Sequence, residues 1–271
     1  MISKSIIRLI TSLRLKKERK RTGLFVAEGP KVVGDMLCRY SPRLIIATGE
    51  WLSLHADTHG ADIIAATDDE LRRASLLQHP QQVMALMAIP DNTYCDGDAP
   101  LPASTLDTMA NGLSIALDGV QDPGNLGTII RIADWFGICH IACSPDTADA
   151  YNPKVVQAAM GSLGRVTLSY SPLPPLLSRL SSSLPVYGTT LDGDNIYSAR
   201  LPSRAVVVMG NEGNGISQSV MPCLSRRLLI PRFDANRHDM GHAESLNVAI
   251  ATAIVCAEFR RNSSQGLNGD K

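Results

Sequence analysis

The N-terminal stretch MISKSIIRLITSLRLKKERK places Ile6, Ile7, Leu9, Ile10, Leu13 and Leu15 along one face of a helical period with basic residues between them, which predicts an amphipathic basic helix. The period then shortens. GLFVAEG, an apolar run bounded by glycines, predicts a strand, and GPKVVGDMLCRY returns to helical spacing. RLIIAT and ADIIAAT predict two more strands, DDELRRASLL a helix whose acidic first turn suits the positive end of the helix dipole, and QQVMALMAI a strand ending near Pro90. From Asp91 to Gly112 no period is visible and Gly, Pro, Asp, Ser and Thr accumulate. A linker is therefore expected at 95–111, between a domain at 1–94 and a second at 112–271.

Beyond the linker the alternation resumes in longer units. LSIAL, ICHIAC, RVTLSY, PVYGTTL, RAVVVMG and RRLLIP predict strands; GTIIRIADWFG, PKVVQAAMG and LPPLLSRLSS predict helices, and ESLNVAIATAIVCAEFRR a long final one. Strands of continuous apolar sequence separated by helices predict an α/β fold, with a mostly parallel sheet covered by helices on both faces. The final helix is apolar nearly all round, so burial on more than one side is expected, in the core and against a second subunit.

Composition narrows the classes. With 271 residues, 44% hydrophobic and 19% charged, the chain carries enough apolar material for two cores and is not a disordered polypeptide. No apolar run approaches the roughly 20 residues of a membrane span, and no signal-peptide cleavage pattern follows the N-terminal apolar stretch. The six scattered cysteines read as reduced core residues, so a cytoplasmic location is expected; Cys139 and Cys143 have no second pair at zinc-site spacing, and no metal is expected. Formal charge is zero, but residues 1–22 carry eight basic side chains against Glu18 alone, a local +7. That asymmetry suits attraction to the phosphates of a nucleic acid, with Lys16, Lys17, Arg19, Lys20 and Arg21 as the candidate contacts; a solvated helix face would show the same pattern.

Ligands of open parallel sheets gather beyond the carboxyl ends of strands, and three such ends carry polar or glycine-rich sequence. After LSIAL comes DGVQDPGNLGTIIRIADWFG, with Asn125 in a glycine-rich loop and Arg131 six residues on. By spacing alone Asn125 also suits an N-cap or turn, and Arg131 a surface ion pair. After RAVVVMG comes GNEGNGIS, expected to open a helix. Its glycine order is neither the dinucleotide fingerprint nor a P-loop, and Glu212 favours a ligand offering hydroxyl or amino donors over phosphate. After RRLLIP comes a long loop containing His238 and His242, then the final helix, with Glu244 or Ser245 placed to cap it. Asn247 is the polar exception in its first turn.

Taken together, NLGTIIRIADWFG, VVVMGNEGNGIS and IP…ESLNVAIATAI resemble the three signature motifs of the SpoU (TrmH-like) RNA 2′-O-ribose methyltransferases of the SPOUT superfamily, in the right order across the second domain. KKERKRTGLFVAEGPKVV is similar, more loosely, to that family's L30e-like substrate-binding domain. The resemblance implies a trefoil-knotted catalytic domain, S-adenosyl-L-methionine as cofactor, a homodimer, and methylation of a ribose 2′-hydroxyl in structured ribosomal or transfer RNA. It assigns Asn125, Arg131, Glu212, Ser245 and Asn247 to the catalytic set, and Thr189, Gly210, Ile230 and Leu246 to cofactor contacts made largely through the backbone. Two positions depart from the family pattern: the loop RFDANRHDMGHAE is several residues longer, either a plain surface insertion or a segment whose Arg232, Arg237, His238 and His242 touch RNA or rim the cofactor pocket, and Gln157 stands where a basic residue is common, which speaks against a phosphate contact there. A catalytically silent RNA-binding assembly factor of the same fold is the alternative; a nucleotide-binding oxidoreductase is disfavoured by the glycine order.

Overall fold

The structure, a computed structural model, describes residues 1–55, 60–91, 93–95, 101–233 and 245–266. In chain order the elements are α1 (Lys4–Ser12), α2 (Lys16–Thr22), β1 (Leu24–Glu28), α3 (Pro30–Leu37), β2 (Pro42–Ala47), α4 (Gly49–Leu54), β3 (Asp62–Ala65), α5 (Asp68–Ala74), β4 (Val83–Ala88), α6 (Ala103–Ala110), β5 (Leu113–Leu117), α7 (Pro123–Trp135), β6 (His140–Cys143), α8 (Pro153–Ala158), β7 (Thr167–Tyr170), α9 (Leu173–Leu180), β8 (Val186–Asn195), β9 (Ala205–Met209), β10 (Arg226–Leu229) and α10 (Val248–Gly266). They form two compact units, and the division does not follow the chain. Met1–Thr93, Leu126–Arg131 and Asp149–Arg165 make the first; Tyr94–Asn125, Ile132–Ala148 and Val166–Lys271 make the second.

The first unit is built on a four-stranded sheet in the order β1-β4-β2-β3, antiparallel except for β2 with β3. Ile10 and Leu13 from the N-terminal segment and Leu71 and Ala74 from α5 pack with Val26, Ile46, Met84 and Leu86 of the strands. A capping box opens α5, Thr67 accepting from the Glu70 amide and Glu70 accepting from the Thr67 amide. The basic N-terminal segment is two helices where one was expected. Arg19 explains the break: its Nη1 donates to the carbonyls of Leu13 (2.7 Å) and Arg14 (2.9 Å), groups that a continuous helix would have paired internally.

Segment 149–165 completes this unit. Asp149 accepts from Nε (2.9 Å) and Nη2 (2.5 Å) of Arg19, and both side chains are buried. Tyr151 enters an aromatic cluster with Phe25 and Tyr40, at centroid distances of 4.7 and 6.2 Å, and the Tyr40 hydroxyl donates to the Leu163 carbonyl. Burial pushes the Tyr40 phenol above its ordinary range. Gly164 allows close contact: a Cβ there would lie 2.5 Å from the Asp35 carbonyl oxygen.

The second unit carries a six-stranded, all-parallel sheet in the order β10-β8-β9-β5-β6-β7. Leucines 173, 176, 177 and 180 of α9 and Met109 of α6 cover one face, against Ala116, Ala142, Val186, Val206 and Val208. On the other, Phe259 of α10 meets Tyr187 edge-to-face at 5.3 Å. α6 lies inside the stretch expected to be an irregular linker; the burial of Met109 is what its weak periodicity concealed. The cysteines also differ from expectation: all six are free, but only Cys143 and Cys256 are buried, while Cys38 and Cys139 are exposed.

Candidate active site

Three strand ends and two helix starts build the site in the second unit. α7 begins earlier than its apolar pattern implied, at Pro123, because Asp122 caps it by accepting the Asn125 amide at 2.8 Å. The Asn125 side chain is therefore free of capping duty. Its Nδ2 donates to Oε1 of Glu212, and its Oδ1 accepts from Nδ2 of Asn247 at 2.9 Å. Asn247 also reaches Glu212, at 3.5 Å. Its Oδ1 accepts the amides of Ala249 (3.0 Å) and Ile250 (3.3 Å), so Asn247 caps α10, the task expected of Ser245 or Glu244. Two amides and a carboxylate brought from three distant segments thus form one hydrogen-bonded set.

Glu212 is held by a turn, where the glycine run was expected to open a helix. Asn211 and Gly215 exchange both main-chain hydrogen bonds at 2.9 Å, and the Asn211 Oδ1 accepts from the amides of Gly213 (2.9 Å) and Asn214 (3.1 Å). A Cβ at Gly210 would fall 2.3 Å from the Gly215 carbonyl carbon, so only glycine lets the turn fold back on the end of β9. Asn211 Nδ2 ties this turn to the Gly119 carbonyl at 2.7 Å, and Asp118 accepts the Ser217 amide at 2.7 Å.

The four expected cofactor positions lie on adjoining elements. Thr189 is one residue beyond the last pairing of β8 with β9, Gly210 directly follows β9, Ile230 directly follows β10, and Leu246 stands two residues before α10. Strands β10, β8 and β9 are neighbours, which puts the first three along one edge of the sheet. This edge offers main-chain groups, apolar side chains and the carboxylate of Glu212. The set fits S-adenosylmethionine: backbone N–H and C=O groups suit the edge of adenine, apolar residues suit its faces, and an acidic neighbour suits a cationic ligand.

Other expected residues separate from this set. Ser245 and Leu246 are exposed, and among the described residues no hydrogen bond joins Ser245 to Asn125, Glu212 or Asn247. Arg131 is exposed on α7, six residues after Asn125, and forms no ion pair with the described residues. Lys16, Lys17, Lys20 and Arg21 are exposed around α2, Arg21 pairing with Glu18 at 2.9 Å. Arg19 corrects the expectation of an RNA contact: 1% exposed, it spends its donors on Asp149, Leu13 and Arg14 and faces no solvent. Its structural partner Asp149 carries no local signal in the sequence, because the two positions lie 130 residues apart. Arg237, His238, His242 and Glu244 lie outside the described residues. Among the described residues no group of three or more His, Cys, Asp or Glu side chains is placed to hold a metal.

Residues 112–257 match the SpoU rRNA Methylase family, and residues 4–85 an MRM3-like substrate binding domain. The chain belongs to the SpoU family. Among its SpoU relatives, the 23S rRNA (guanosine(2553)-2′-O)-methyltransferase RlmP of Bacillus subtilis (strain 168) is 30% identical over 254 residues, which span 92% of this chain and 93% of that protein. A solved structure of a TrmH-family protein from Porphyromonas gingivalis is 40% identical with a TM-score of 0.84 over 96% of this chain and 99% of its own. An AdoMet-bound rRNA methyltransferase from Sinorhizobium meliloti is 26% identical, with a TM-score of 0.79 over 96% and 97%. The SpoU motifs quoted from the sequence are the segments that supply Asn125, Glu212 and Asn247.

Proposed function

We propose that the chain transfers a methyl group from S-adenosyl-L-methionine to a ribose 2′-hydroxyl of ribosomal RNA, a guanosine of 23S rRNA being the first substrate to test. The observation that carries the reading is the hydrogen-bonded set of Asn125, Glu212 and Asn247 at the strand ends of a SpoU-family sheet. RlmP matches nearly end to end, N-terminal region included, which supports a shared substrate class over a silent assembly factor or a transfer RNA substrate. Residues 1–94 read the RNA and 112–271 carry the chemistry, a division supported by the two family matches. Lys16, Lys17, Lys20 and Arg21 bind RNA phosphates.

When bound, S-adenosylmethionine supplies a methyl on positively charged sulfur, which leaves as a neutral thioether. The remaining work is alignment of the hydroxyl and stabilisation of its oxygen as the proton departs. Thr189, Gly210, Ile230 and Leu246 hold the cofactor, and Glu212, fixed by two amides, orients its polar groups. Ser245 lines the entrance. A guanidinium stays protonated in proteins, so Arg131 acts as a donor: it holds a backbone phosphate and the incipient alkoxide, while a phosphate oxygen or water takes the proton.

The protein works as a cytoplasmic homodimer. Six free thiols and a ribosomal substrate support the location. Trp135 at the end of α7 is 84% exposed and Ile250 in the apolar first half of α10 is 55% exposed, so apolar surface stands uncovered on both helices. Arg260 of α10 donates to the carbonyls of Phe136 (2.7 Å) and Gly137 (3.1 Å), which ties the later turns of α10 to the end of α7 that bears Trp135, a surface for a second copy to cover. The deciding experiment is transfer of labelled methyl to 23S rRNA, followed by nuclease mapping. Wild type should yield a 2′-O-methyl nucleotide; Arg131→Ala should lose at least a hundredfold in rate with cofactor affinity within a few-fold. An Arg131→Lys variant at near-normal rate would refute the geometric role.

A further inference from the structure

Within the first unit, α8 has two faces with different employment. Val155 and Val156, with Ala159 just beyond, are buried in the unit. Pro153, Lys154, Gln157 and Ala158 fall on the opposite side and face Leu76 and Leu77 across an open groove of about 360 Å³. The far wall is fixed. The buried Glu28 carboxylate accepts the Leu76 amide at 3.0 Å and the Ser75 hydroxyl, and Ser75 Oγ accepts the Leu77 amide at 3.0 Å. Thus the glutamate of FVAEG holds two half-exposed leucines in place.

The groove also abuts the helix that carries Arg131. Gly127 of α7 packs on Ala158 so closely that a Cβ would lie 2.4 Å from the alanine Cβ. Arg131 follows Gly127 by four residues, so it emerges on the same face one turn along, about 6 Å up the axis.

We propose that this groove receives the base of an RNA nucleotide close in sequence to the methylated one. A nucleobase has flat apolar faces, a hydrogen-bonding edge and an anionic backbone; Leu76, Leu77, Pro153 and Ala158 match the faces, the Gln157 amide the edge, and Lys154 the phosphate. The volume falls within the range of small-ligand pockets, roughly 300–1,000 Å³. Among the described residues no carboxylate lines the groove and Lys154 has no ion pair, which favours an anionic strand over an acidic peptide. Holding one unpaired base here anchors the strand one helical turn from Arg131. The inference rests on the methyltransferase reading for its RNA, and its test has a readout that does not need turnover.

The full-length protein is cross-linked to 23S rRNA transcripts carrying 4-thiouridine or 6-thioguanosine, and the cross-linked peptides are mapped; in parallel, RNA and cofactor affinities are measured for Lys154→Ala/Gln157→Ala and for Leu77→Ala, with Leu77→Met as the conservative control. Expected are cross-links within residues 76–77 or 153–158, about tenfold weaker RNA binding for the double variant and for Leu77→Ala, recovery in Leu77→Met, and unchanged cofactor affinity. Cross-links confined to the α2 region, or RNA affinity within twofold of wild type in the variants, would overturn the proposal, as would occupation of the groove by a protein segment. Groove cross-links without methyl transfer would sustain this site and defeat the enzymatic reading; normal transfer without them would do the reverse.

Discussion

Removing Asp149 tests a buried, long-range ion pair in the first unit. Arg19 is 1% exposed and the Asp149 side chain 4%, and the pair is joined by two hydrogen bonds of 2.5 and 2.9 Å to a single carboxylate oxygen. The other oxygen accepts the Tyr151 amide at 3.1 Å. In Asp149→Ala the guanidinium keeps only the carbonyls of Leu13 and Arg14 and has no counter-charge in a site closed to water. An uncompensated buried charge of this kind costs about 3–5 kcal/mol. At about 2–4 °C per kcal/mol for a chain of this size, the melting temperature should fall by roughly 6–20 °C. Urea unfolding followed by circular dichroism gives the free energy directly. The companion variant Arg19→Met/Asp149→Leu removes both charges and should end within about 2 kcal/mol of wild type, because the desolvation cost vanishes with the attraction. A loss below about 1 kcal/mol in Asp149→Ala, or a double variant less stable than either single one, would refute this account.

Three further outcomes follow from the geometry. Glu28 is shifted upward from its usual value of 4.5 mainly by desolvation, against the opposing hydrogen bonds of Ser75 and Leu76; the folded state therefore holds that proton more tightly than the unfolded one, so this group's contribution to stability falls as pH rises above about 4.5 toward its folded value, and Glu28→Gln should flatten that part of the stability–pH curve. Gly127→Val should destabilise by about 1–3 kcal/mol or more through its clash with Ala158, measured by thermal unfolding. Asn247→Ala should lose about 1 kcal/mol with the α10 cap and also lower the methylation rate by freeing Asn125 and Glu212, whereas Asn247→Asp should keep the cap in the melting curve yet still lower the rate.

The fold was legible where apolar periodicity was strong. The ten strands among the described residues all lie in runs readable from the sequence, because continuous Val, Ile, Leu and Ala sequence admits few alternatives in an α/β chain. What escaped were features set by tertiary partners. α6 has a weak apolar stripe and is stabilised by burying Met109; α4 is a six-residue turn capped by Thr48; the break after α1 depends on a guanidinium arriving from α2. The site was legible as motifs, since Asn125, Glu212 and Asn247 are polar residues in otherwise apolar or glycine-rich stretches. Their mutual hydrogen bonds were not, because they join positions 87 and 122 residues apart. Arg19 misled for the same reason: among Lys16, Lys17, Lys20 and Arg21 it looks like another surface cation, and only a distant aspartate gives it another task.

The Arg19–Asp149 pair also sets a clock on synthesis. At about 5–20 residues per second a ribosome needs roughly 6–26 s to deliver the aspartate after the arginine. From the completion of β4 at Ala88 until Asp149 and Tyr151 follow, the strands of the first unit are made but α2, Phe25 and Tyr40 lack the partners that cover them. The nascent amino-terminal half is consequently a sticky, incompletely closed body until the polypeptide passes position 165, and its maturation is timed by elongation through the middle of the message.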